Sequence, residues 1–159
     1  MPEEVSRAVA ALQALGVPHV ARQYPRANSL AEAAELRGLT PADIVKSMVV
    51  RRGEDDYLFV LVGGDREISW PKLRALLGVN RLSMPSAEVA LQVTGYPRGT
   101  ITPFGSTTAW PVIVDADIPG RRISMGGGSH GLAISLQADD LIAALDATVA
   151  DISDAPAQS

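Results

Sequence analysis

Apolar residues recur at two spacings along this chain, and the switches between them divide it into elements. Val5, Val9, Leu12 and Leu15 fall at helical intervals. With Pro2, Glu3 and Glu4 suited to a first turn and Gly16 to a stop, they predict a helix over 3–15. A short strand over 19–24 would set Val20 and Tyr24 on one face. Ser29 followed by Glu32 forms a capping-box pattern for a helix through Arg37, closed by Gly38. After a turn at 41–43, the apolar runs 44–51 and 57–62 flank a turn-like 53–56 and predict a buried hairpin. Ser69 with Pro71, and Ser86, are caps for helices ending before Gly78 and Gly95.

Strands are then expected over 111–114 and 122–125, and through Leu132, Ile134 and Leu136, which alternate with smaller residues. A helix over 138–145 and a last short strand over 148–152 complete the chain, with 154–159 read as a disordered tail. Helices and strands mix without regular βαβ alternation, and several strands are joined by short turns. This pattern predicts an α+β, mixed α/β, single domain over 1–153, with a central mixed, largely antiparallel sheet and surrounding helices.

Composition narrows the chemistry. The 159 residues fit one hydrophobic core. With no cysteine, disulfides, thiolate nucleophiles and Cys-ligated zinc fall away, and His19 and His130 are too few for a His-based metal site. No metal or cofactor is expected. The acidic start does not resemble a secretory signal and no apolar run approaches the roughly 18 residues that span a bilayer, so a cytoplasmic protein without membrane association is expected. A net charge of −4 disfavours tight nonspecific nucleic-acid binding but leaves room for a local basic site among Arg51, Arg52, Lys72, Arg74, Arg81, Arg121 and Arg122.

Two features stand out as chemistry. Lys46 places an ammonium in a Val/Ile/Met strand, where it is either a snorkelling side chain on an exposed face or a ligand holder on a concave one. The segment 95–105, Gly-Tyr-Pro-Arg-Gly-Thr-Ile-Thr-Pro-Phe-Gly, is either a structural crossover or a loop that presents backbone N–H and C=O groups to a ligand. The run Gly126 to Gly128 resembles a phosphate-cradling turn but lacks the spacing of a Walker or dinucleotide motif. No Ser/His/acid order is visible, and Asp115 with Asp117 has no third ligand.

Four segments, 44–50, 95–105, 110–115 and 127–136, together resemble the YbaK family of editing domains, which occur free-standing and inserted in bacterial prolyl-tRNA synthetases. The resemblance spans about residues 15–152. It implies a trans-acting aminoacyl-tRNA deacylase that cleaves the ester of mischarged tRNA, with tRNA(Pro) carrying a small residue such as cysteine or alanine as substrate and prolyl-tRNA synthetase as a possible companion. It places Lys46, Gly99, Thr100, Ile101, Thr102 and Pro103 at the reaction, and Tyr24, Ser47, Met48, Gly127, Gly128, Ser129 and His130 around the substrate. By analogy Lys46 holds the terminal nucleotide and the loop backbone orients the ester; in a cysteine-specific branch the substrate thiol itself attacks. Core packing is the alternative for Tyr24, Met48 and Ile101. Relatives often carry Lys-Arg where this chain has Ser129-His130, and some cysteine-specific ones an acid near Ala133. An inactive module of the same fold that binds a tRNA end or a synthetase is the other reading.

Overall fold

The computed structural model describes residues 6–25 and 27–155. Helix α1 (Arg7–Leu15) is capped by Ser6, whose Oγ accepts from the Val9 N–H at 3.1 Å, and ends on Gly16 at φ +69°. The expected first turn at 3–5 lies outside the described residues. Strand β1 (Val20–Gln23) is shorter than expected and all four of its residues are exposed, because it forms one edge of its sheet; Tyr24 falls beyond it. Helix α2 (Leu30–Arg37) starts on Ser29, which accepts from the Glu32 N–H, and stops at Gly38. A 3-10 turn (Pro41–Asp43) leads into the hairpin of β2 (Val45–Gly53) and β3 (Asp56–Gly63).

The two-residue β4 (Glu67–Ile68) was not anticipated. Helices α3 (Trp70–Leu77) and α4 (Ala87–Thr94) take their caps from Ser69 and Ser86 as expected. Then follow β5 (Val112–Asp115), β6 (Arg122–Gly126), β7 (Leu132–Gln137), α5 (Ala138–Leu145) and β8 (Thr148–Ala150). The chain does not end in a tail at Asp154: β9 (Ser153–Asp154) pairs antiparallel with β4, Glu67 opposite Asp154. Residues 156–159 lie outside the described part.

The strands divide between sheets rather than forming one. The order β1-β7-β6 is antiparallel throughout. The order β2-β3-β5-β8 is mixed, with β2 antiparallel to β3 and with β3-β5 and β5-β8 parallel. A lone parallel bridge, Ile44 to Ser124, ties the two sheets together at the foot of β2.

Strand β3 explains its own sequence. Tyr57, Phe59 and Leu61 face a core shared with α1, α5 and the β1-β7-β6 sheet, while Leu58, Val60 and Val62 face a second core with Leu73 of α3 and Ile152. Burial on both faces requires a continuous apolar run rather than alternation. Strand β2 lies outside β3, and it can therefore carry polar residues at its free edge.

Candidate functional site

The geometry of the site follows from β2 being an edge strand. Arg51 exchanges both backbone hydrogen bonds with Ser83 across that edge, at 2.8 and 3.1 Å. Backbone groups alternate sides along an antiparallel strand, so the N–H and C=O groups of Val49 and Ser47 turn to the same free edge. Side chains alternate too: Met48 packs toward the α3 core, and Val45 and Val49 toward the main core. Ser47 shares the latter face, and its Oγ is buried with no hydrogen-bond partner among the described residues.

A cleft of about 370 Å³ opens along this edge. Val45 to Val49 form one wall, and Met84, Pro85, Ala87 and Ala90 another; Arg98, Gly99, Ile101 and Gly126 close it. Lys46 is on the wall with its side chain 32% exposed. Its ammonium donates to the Arg66 carbonyl at 2.5 Å and lies 3.5 Å from a Glu67 carboxylate oxygen, two residues that are not part of the cleft wall. Arg98 is exposed and forms no ion pair among the described residues.

The loop 95–105 is held from beneath. Tyr96 is buried and donates its hydroxyl to the Phe104 carbonyl at 2.6 Å, while the Arg7 guanidinium lies 4.6 Å from its ring centre and donates to the Gly95 carbonyl. Burial pushes the Tyr96 phenol up, outweighing the neighbouring Arg7, which keeps it a donor. Thr100 folds the loop on itself, giving both its N–H and its hydroxyl to the Pro97 carbonyl. The Thr100 N–H is thereby used, whereas those of Gly99 and Ile101 have no backbone partner among the described residues. Gly99 sits at φ +89°, which turns the chain where a side chain would be strained.

Five of the residues expected from the sequence therefore meet in one place: Lys46, Ser47, Met48, Gly99 and Ile101. Thr100 and Thr102 are buried, and their side chains shape the loop rather than reach the cleft. Pro103 lines a separate groove with Trp110. Gly127 and Gly128 are packing glycines, since a Cβ at either would lie 2.8 Å from Leu132 or from the Tyr96 ring. Ser129 and His130 are exposed, and His130 comes within 3.8 Å of where a Gly99 side chain would begin. Tyr24 stands apart, in a cavity with Pro25, Leu30 and Gly131, under the Arg37 guanidinium at 5.5 Å.

Met84, Pro85, Ala87, Ala90, Arg98 and Gly126 complete the cleft without having been expected there from the sequence. Arg98 carried a signal as a cation within the glycine loop, and Gly126 as the start of the run Gly126 to Gly128. Next to the cleft, beyond Ser83, a second depression is lined by Arg51, Arg52, Arg74 and Arg81. Arg52 is neutralised by Asp56 at 2.9 Å. The other three form no ion pair among the described residues, so an acidic chain carries a local cationic surface here. Lys72 is not part of it, being tied to Asp151 and Ser153, and Arg121 is tied to Asp43 and Asp117. Among the described residues no cluster of His, Asp or Glu could hold a metal, and no helix is long and apolar enough to cross a membrane.

Fold and cleft together define a small mixed α/β domain with an open strand edge, a loop whose Gly99 and Ile101 N–H groups have no backbone partner among the described residues, and cations at and beside the cleft. The pattern of the aminoacyl-tRNA editing domain matches residues 24–144, and the chain belongs to that family. It is 33% identical over 119 residues to the proline–tRNA ligase of Thermosipho africanus, covering 72% of this chain and 21% of that protein. Over 104 residues it is 37% identical to the proline–tRNA ligase of Thermotoga maritima, covering 65% and 18%. The chain thus spans about a fifth of the length of these relatives. A crystal structure described as a candidate trans-editing enzyme for prolyl tRNA synthetase superposes with a TM-score of 0.85 at 28% identity, covering 97% of this chain and 99% of that one.

Proposed function

We propose that the cleft is the site of aminoacyl-tRNA deacylation, acting in trans on a mischarged tRNA. The observation that carries this reading is the meeting of the β2 edge at Lys46 to Met48 with the turn at Gly99 to Ile101, where the Gly99 and Ile101 N–H groups have no backbone partner among the described residues. An aminoacyl ester has a good leaving group, so catalysis needs positioning and a place for developing negative charge more than a protein nucleophile. The Gly99 and Ile101 N–H groups face that task. Water adds to the ester carbonyl, the bond to the ribose oxygen breaks, and that oxygen takes up the proton as the free amino acid leaves.

Lys46 and Arg98 hold the phosphate or ribose oxygens of the terminal nucleotide, and the Arg51, Arg74 and Arg81 surface takes phosphates further along the acceptor arm. The apolar wall at Met48, Met84, Ala90 and Ile101 suits a small uncharged side chain such as that of alanine or cysteine. If the substrate is cysteinyl-tRNA, its own thiol can replace water as the attacking group. The similarity to proline–tRNA ligases supports tRNA(Pro) as the carrier, a synthetase as companion, and the cytoplasm as the place of action.

The test is a panel of mischarged tRNAs treated with the native protein and with Lys46→Ala. A charge-assisted hydrogen bond is worth about 1.5–3 kcal/mol, so its loss raises KM roughly 10- to 150-fold. Native protein that releases nothing above the spontaneous rate from any member of the panel overturns the enzymatic reading. Retained binding of tRNA in that case would leave a module that holds the tRNA end without cleaving it.

A further inference from the structure

Resting on the function proposed above, we infer that Arg66 is a positioning residue for Lys46, and that the cluster of Arg66 with the buried Asp115 and Ser153 fixes where the Lys46 ammonium points. The ammonium is not anchored by a side chain within the cleft. Its closest partner is a main-chain oxygen, that of Arg66, at 2.5 Å; the Glu67 carboxylate is more distant and is 86% exposed. A carbonyl can hold a cation in one direction only if its own peptide is held.

Arg66 is held as a residue from three sides. Its N–H closes a turn onto the Gly63 carbonyl at 3.0 Å. The next two residues form β4 and pair with Ser153 and Asp154 of β9. Its side chain donates from Nε to Ser153 Oγ at 2.7 Å and lies 3.5 Å from Asp115 Oδ2.

Asp115 is 1% exposed at the end of β5, in the centre of the mixed sheet. A carboxylate buried there needs all its partners, and it has them: the Ile152 N–H at 3.1 Å, the Ser153 hydroxyl at 2.7 Å and the Arg66 guanidinium. Lys72 adds a bond to the Ser153 carbonyl at 2.9 Å. A buried ion pair of this kind contributes little net stability compared with an apolar replacement. What it contributes is a fixed geometry, transmitted from the sheet centre through Arg66 to the lysine.

The chain contains two lysines, Lys46 and Lys72, which makes the inference directly observable. Nitrogen-15 spectra of the lysine ammonium groups in the free protein should show a Lys46 signal protected from proton exchange, assigned by its absence in Lys46→Ala. Arg66→Ala should abolish that protection, and Ile134→Val, a core substitution in the other sheet, should not. In deacylation, Arg66→Ala should raise KM about tenfold in the native background with kcat changed less than threefold, and raise it less than twofold in the Lys46→Ala background. If Arg66→Ala does not fold, Asp115→Asn takes its place with the same expected pattern. An unaltered Lys46 signal, or equal KM effects in both backgrounds, overturns the inference. A chain that hydrolyses no aminoacyl-tRNA overturns the functional reading instead, and the ammonium spectra still decide whether Arg66 orients Lys46.

Discussion

Replacing Gly99 by alanine separates the cost of an impossible backbone from the cost of a collision. Gly99 stands at φ +89°, and a Cβ built there meets nothing closer than His130 Cε1 at 3.8 Å, an ordinary contact. The penalty is therefore conformational alone, about 1–2 kcal/mol for an L-residue in that region. For a chain of this size each kcal/mol shifts the melting temperature by roughly 2–4 °C, so Gly99→Ala should melt about 2–8 °C lower and remain folded at 25 °C.

Gly128 is the control. Its φ is +90°, but its Cβ would also lie 2.8 Å from the Tyr96 ring, adding about 1–3 kcal/mol of overpacking. Relief of the backbone strain in Gly99→Ala is expected to shift the Gly99 N–H and the turn that carries the Ile101 N–H. If these stabilise the oxyanion, kcat should fall roughly 10²- to 10³-fold, the cost of removing one donor. Thermal melts alongside single-turnover deacylation at 25 °C measure both quantities. Gly99→Ala with undiminished kcat would refute the assignment of the loop backbone, and equal melting losses at Gly99 and Gly128 would refute the packing argument.

Three other outcomes are expected. Because Ser47 Oγ is buried without a partner among the described residues, Ser47→Ala should leave the melting temperature unchanged or raise it, while weakening substrate binding. Arg74→Ala and Arg81→Ala should each reduce the slope of log binding constant for tRNA against log salt by roughly 0.7–0.9 for every phosphate no longer neutralised, with no effect on kcat. Burial opposes the ionisation of Asp43, but hydrogen bonds from Thr40 and Arg121 outweigh it and hold its carboxyl below the usual range. A depressed folded-state pKa stabilises above the unfolded value near 3.9, and that stability disappears as pH falls through the folded one. The melting-temperature gap between the native protein and Asp43→Asn should thus be full at pH 6, begin to narrow as pH nears about 4 and close only below the depressed folded-state pKa.

Much of the fold was legible because its signals are local. Ser29, Ser69 and Ser86 cap helices by bonds to residues three positions ahead, and the hairpin of β2 and β3 declares itself in two apolar runs around a turn. Lys46 and Gly99 were legible as anomalies against such patterns. What escaped depends on pairing between distant segments. Two-residue strands such as β4 and β9 have no period to detect, and Arg66 reaches Lys46 through a main-chain oxygen, which no residue type announces. Tyr24, placed around the substrate by the resemblance, lies just past β1 under Arg37, where its N–H pairs with the Gly131 carbonyl. Met84 and Pro85 join the cleft only because Ser83 pairs with Arg51.

That open edge of β2 has a consequence for any experiment on Lys46. A sheet edge with unpaired backbone groups is a template onto which another copy of the chain can add a strand, and a lysine on such an edge is a common guard against it. Removing the charge takes away a ligand partner and a barrier to self-association together. A Lys46→Ala sample must therefore be shown to be monodisperse to the same degree as the native protein before its missing activity is assigned to chemistry.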